Sequence, residues 1–130
     1  MLSTVSFHPF LSHFPVALFT AGVALLYAAR RKDRPGLLGA ARFNLSLGLL
    51  AAVLADFTGM VSTDLNLKTT VEVEGHQSYS FLFTLLLGFA VGYSYTRAFS
   101  RTALVTYSLA GIALTACIYS GYLLVFSAPS

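Results

Sequence analysis

The chain has 130 residues, of which eight are Lys or Arg and five are Asp or Glu, giving a net charge of +3 and a mean hydropathy of +0.74. Only 10% of the residues are charged, against about 25% in a soluble domain, and so small a globule cannot cover its surface in water with them. The basic balance does not describe a nucleic-acid binder either, because the cations fall between apolar runs instead of among polar neighbours on one face.

The first apolar run covers residues 10–29. No Lys or Arg precedes it and a basic cluster follows, which argues for a retained helix and against a signal peptide. His8 and His13 stand at its start, and Ala17, Ala21, Ala24 and Ala28 follow His13 at helical steps. His8 lies about 140° round a regular helix from His13, so only one of the two can face a given partner unless Pro9 and Pro15 distort the backbone.

A second run, residues 43–61, carries Gly48, Ala52, Asp56 and Gly59 at similar steps. Stripes of small residues usually mean that helices approach closely; beside a histidine they also leave room for a flat ring. Asp56 is the single carboxylate inside an expected span, a costly position that marks a functional candidate. It can orient a ligand histidine, hold a proton or contact a quinone. The plain alternative is a protonated Asp56 bonded to Ser, Thr or Tyr across helices.

The connection over residues 62–75 contains Asp64, Glu72 and Glu74, and its alternation Val71-Glu72-Val73-Glu74 suits an extended loop or a polar extension of the third helix, the extension being favoured. The third run, residues 79–95, is preceded by His76, which continues down one face through Ser80, Phe83, Leu87 and Ala90. Gly88 and Gly92 form a Gly-x-x-x-Gly step that suits a close helix or subunit contact. The fourth run, residues 103–126, holds Cys117, the one cysteine, so an intrachain disulfide is excluded.

Four continuous apolar runs of roughly the 20 residues that cross a bilayer predict an all-α, four-helix transmembrane bundle in one domain. Seven of the eight Lys and Arg lie in the segments 30–42 and 97–101. The positive-inside rule then places both termini and the middle connection on the outer, periplasmic side of a bacterial inner membrane. On that topology His8, His13 and His76 meet at one depth, with His13 and His76 able to face each other. Neutral imidazole is a strong ligand for haem iron, and bundles build cofactor sites on facing helices.

The segment His8-Pro9-Phe10-Leu11-Ser12-His13-Phe14-Pro15 resembles the opening signature of a bacterial membrane-protein family catalogued as domain of unknown function 2231. The likeness continues in a Gly near the outer end of the second helix, here Gly59, a His at the start of the third, His76, and the ending Gly121-Tyr122-Leu123-Leu124-Val125. It implies four membrane helices, singles out His8, His13 and His76, and implies no activity.

The expected function is a b-type cytochrome-like electron-transfer subunit. It would bind haem b near the outer surface through His76 and either His13 or His8, with His13 favoured and Asp56 beside them. Lipid, other membrane subunits, a quinone or a periplasmic electron carrier are the expected partners. The rival is a non-catalytic structural subunit of a respiratory or photosynthetic membrane complex. A transporter is disfavoured because four short helices without broken spans offer little for alternating access.

Overall fold

In a computed structural model the backbone is described for residues 4–66 and 71–126, and side chains for 13–60 and 75–122. Among the described residues all regular structure is helical: α1 spans Thr4–Lys32, α2 Pro35–Asn66, α3 Val71–Thr96 and α4 Arg101–Phe126. Within them His13–Lys32, Pro35–Met60, Gly75–Thr96 and Arg101–Tyr122 are long and apolar enough to cross a membrane. At 1.5 Å per residue these stretches reach about 30 to 39 Å, against a hydrocarbon core of about 30 Å.

The helices are longer than the apolar runs. Residues 30–42 are expected as a basic connection, yet α1 runs on to Lys32 and α2 restarts at Pro35, leaving Asp33 and Arg34 as the whole turn. Lys and Arg are good helix formers, and their apolar stems let the charged heads reach water from inside a helix. The turn closes as a Schellman motif: Arg34 N–H donates to the Ala29 carbonyl at 3.2 Å while Asp33 takes the left-handed conformation at φ 50°. Pro35 then opens α2 with φ already set and no N–H to satisfy.

The second tight connection, between α3 and α4, is capped by Ser100. Its Oγ accepts from Ala103 N–H at 3.1 Å, three residues on, which satisfies a donor that the first turn of α4 leaves free. Buried Tyr107 donates its hydroxyl to the Ala98 carbonyl at 2.8 Å and ties this turn to α4. At the other end the expected extension of the third helix holds from Val71 through Glu74, whereas residues 62–66 of the same segment continue α2 to Asn66.

Packing follows α1 on α2, α2 on α3 and α3 on α4. Buried positions recur by alternating fours and threes: Pro15, Phe19, Gly22, Leu26 and Ala29 on α1, and Ala41, Leu45, Gly48, Ala52 and Ala55 on α2. That period of 3.5 is the seam of a left-handed coiled-coil crossing. Small residues set the approach: a Cβ on Gly22 would lie 2.7 Å from Leu45 Cδ2, and one on Gly48 3.2 Å from Leu18 Cβ. Phe19 meets Phe83 edge to face, ring centres 5.4 Å apart, joining α1 to α3. The outside carries Phe43, Tyr119 and Ile112, each more than 60% exposed, an arrangement suited to lipid and not to water.

The expected small stripe on α1 lies on the wrong side for interior packing. Ala17, Ala21 and Ala24 are exposed, and Ala28 is half-buried. In lipid both faces of a helix are apolar, so hydrophobicity does not select the inner one; the close approach of Gly22 does.

Candidate functional site

At the end of the bundle where α3 begins and α4 ends, polar side chains from three helices meet at half-buried positions. α2 contributes Asp56, α3 contributes His76, Ser80 and Thr84 on successive turns, and α4 contributes Cys117 and Ser120. Their spacing on α3, four residues each, puts all three on the inward face that continues through Phe83 and Leu87.

Asp56 is held by two hydroxyls of the neighbouring helix. Ser80 Oγ donates to Oδ1, and Thr84 Oγ1 donates to Oδ2 at 2.6 Å while also lying 2.9 Å from the Ser80 carbonyl. Each carboxyl oxygen therefore has a donor, which is what a polar group at this depth requires. The bond partners are the Ser and Thr of the plain sequence alternative.

His76 is held through Nδ1. Nδ1 lies 2.9 Å from Ser120 Oγ and 3.1 Å from the Cys117 carbonyl, and Ser120 itself donates to that carbonyl at 2.9 Å. A carbonyl only accepts, so the bond from the ring to Cys117 is made by the tautomer that carries its hydrogen on Nδ1. The ring lies close against α4: a Cβ on Gly121 would approach His76 Cε1 to 3.0 Å. Cys117 Sγ stands 3.9 Å from Nδ1 and also reaches Ser80, so the His76 and Asp56 halves share neighbours.

The other two histidines, His8 and His13, belong to α1. His13 is exposed, on a face of α1 distinct from the buried Pro15, Phe19 and Gly22 line. His8 lies within α1, and its side chain falls outside the described residues. Among the described residues no three His, Cys, Asp or Glu side chains gather as a metal cluster.

The sequence reading singles out His76 and Asp56 but not their partners Thr84, Cys117 and Ser120. Ser80 is legible on the His76 face; Thr84 continues that face one turn further, a signal present in the spacing. Arg42 is also missed. It sits inside α2, where its Nε–H donates to the Ser94 carbonyl at 2.6 Å and its guanidinium lies 5.3 Å from the Tyr95 ring centre.

A sequence model of the family described as "Predicted membrane protein (DUF2231)" matches residues 4–128. No curated protein and no solved structure matches the chain.

Proposed function

The chain belongs to the DUF2231 family of predicted membrane proteins, and we propose that this member is an electron-transfer subunit holding a haem b through His76 near one membrane surface. The observation that supports this reading is the hydrogen bonding of Nδ1. Metal-binding histidines characteristically donate their second ring N–H to a carbonyl or carboxylate, which fixes the tautomer and raises the basicity of the ligating nitrogen. His76 has that arrangement toward Cys117 O, with Ser120 as second partner.

A bound haem would supply reversible one-electron chemistry. His76 would be the residue that holds the haem iron. Cys117 and Ser120 hold the ring plane, and the absence of a side chain at Gly121 lets it lie against α4. Asp56 joins α2 to α3 through Ser80 and Thr84, one and two turns along α3 from His76. His13 is exposed on α1, so a second protein ligand, if the haem has one, would come from His13 or His8 only after a rearrangement of α1 or from another chain. Electrons would pass to a quinone or a periplasmic carrier in a bacterial inner membrane.

One observation favours the structural-subunit reading. Gly92 is exposed, Gly88 has nothing within 4 Å of an added Cβ, and Ala17, Ala21 and Ala24 present a second free small face. Such faces let neighbouring helices dock closely. An optical spectrum of protein purified from haem-replete cells separates the two. A Soret band lost in His76→Ala supports the cytochrome; a protein without Soret band or iron that copurifies with other membrane subunits supports the structural reading.

A further inference from the structure

At the opposite end of the bundle, α1 and α4 leave a cleft of about 190 Å³ lined by Val23, Leu26, Arg30, Phe99, Leu104 and Ser108, with Tyr27 and Tyr107 completing it. From Arg30 to Val23 on α1 the cleft runs two helical turns inward, about 10 Å at 1.5 Å per residue.

Its depth and its mouth have opposite chemistry. The polar atoms inside are already bonded: Tyr107 donates to the Ala98 carbonyl at 2.8 Å and Ser108 Oγ to the Leu104 carbonyl at 3.0 Å. What the interior offers an occupant is the apolar surface of Val23, Leu26 and Leu104. At the mouth the Arg30 guanidinium lies 6.0 Å from the Phe99 ring centre, and Arg31 donates to Tyr27 OH at 2.8 Å. Arg31, Lys32, Arg34, Arg97 and Arg101 belong to the same two interhelical turns, in which Asp33 is the one acid. Among the described residues no carboxylate pairs with Arg30.

We propose that this cleft is a binding site for one anionic phospholipid, its phosphate on Arg30 and part of one acyl chain between α1 and α4. The occupant follows from the two halves together. The apolar slot excludes a purely ionic ligand as the full answer, and the uncompensated cations select an anionic headgroup over a zwitterionic one. The site lies at the level where the spans leave the hydrocarbon, so an acyl chain enters sideways without leaving the bilayer. The proposal is independent of haem and of which membrane face carries the basic turns.

The test uses full-length protein in detergent, with native mass spectrometry and thermal unfolding in parallel. Phosphatidylglycerol should be retained at one per chain and should raise the unfolding temperature; phosphatidylcholine at the same concentration should do neither. Arg30→Gln, a change at an exposed position, should weaken retention about tenfold and remove most of the shift, while Arg101→Gln should leave both nearly intact. Leu104→Phe should reduce retention with the arginine unchanged, and tail-free glycerophosphate should not stabilise. Equal effects of the two lipids overturn the proposal, and equal losses in Arg30→Gln and Arg101→Gln reduce it to diffuse surface attraction. Stabilisation by glycerophosphate alone overturns the acyl-chain half.

Discussion

Arg42 of α2 donates its Nε–H to the carbonyl oxygen of Ser94 on α3, 52 residues away in sequence, at 2.6 Å. Ser94 lies in the last turn of a helix that ends at Thr96, where carbonyls lack partners in the helix and the dipole favours a cation. One arginine thereby completes the end of α3 and fixes it to α2. Hydrogen bonds from charged donors contribute about 1.5 to 3 kcal/mol, so Arg42→Gln should destabilise the bundle by about 1 to 3 kcal/mol. Arg42→Lys should recover little, because a lysine lacks both the Nε–H and the planar group stacked on Tyr95. Thermal unfolding in detergent measures both, and a wild-type melting curve for Arg42→Gln would assign the bond no weight.

Asp56→Ala removes the acceptor for both Ser80 and Thr84. Interhelical hydrogen bonds in membranes average about 0.6 kcal/mol, up to about 1.7, so a loss of about 1 to 3 kcal/mol is expected. A double-mutant cycle with Thr84→Val should give a coupling near the lower figure. If Asp56 also positions His76, Asp56→Asn should shift the midpoint potential or weaken retention of a haem-bearing preparation, a response that a purely structural clamp does not give.

His76→Ala should abolish the Soret band of such a preparation. Gly121→Ala should perturb it while retaining His76, since the new Cβ meets Cε1 at 3.0 Å and the ring must shift. His8→Ala should leave the spectrum nearly intact. Loss of a six-coordinate spectrum on dilution to monomers, restored on concentration, would support an axial ligand from a second copy; a six-coordinate monomer lost in His13→Ala would place His13 in its own bundle.

Ser3→Cys and Thr69→Cys, each in a Cys117→Ser background, should both react with a membrane-impermeant thiol reagent added to intact cells whose periplasm is accessible. Reaction only after the cytoplasmic face is opened would reverse the orientation read from the basic turns.

Much of the architecture was legible because lipid imposes one requirement on every span: about 20 apolar residues with the backbone bonded internally. The same uniformity hides which face points inward. Ala17, Ala21 and Ala24 have the spacing of a packing stripe and lie outside, whereas Gly22 and Leu45, buried on facing helices, make the contact. His76 and Asp56 stood out because ionisable groups are rare there. Their partners did not, since Ser120 and Thr84 differ little from the many small hydroxyl residues bonded to their own helix, such as Thr115 to the Gly111 carbonyl at 2.9 Å.

Asp33 is the one non-glycine residue with positive φ among those described. Left-handed backbone costs about 1 to 2 kcal/mol for an L-residue with a Cβ, and less for Asp as a residue type, because a short polar side chain is able to hydrogen-bond to nearby backbone. Asp33→Gly should therefore raise stability by about 0.5 to 1 kcal/mol, and Asp33→Val should lower it by at least as much, both read from thermal unfolding.

The two tight turns also bear on biogenesis. A connection of two residues at Asp33 and Arg34, and another capped at Ser100, leave no slack for α1 and α2, or α3 and α4, to enter a bilayer far apart. Each pair is suited to partition into lipid as a hairpin whose own interface forms on entry, with the α2 and α3 contact made afterwards. Two polypeptides divided within residues 67–70 and produced together should then reunite in the membrane, with Asp56 of one fragment meeting Ser80 and Thr84 of the other.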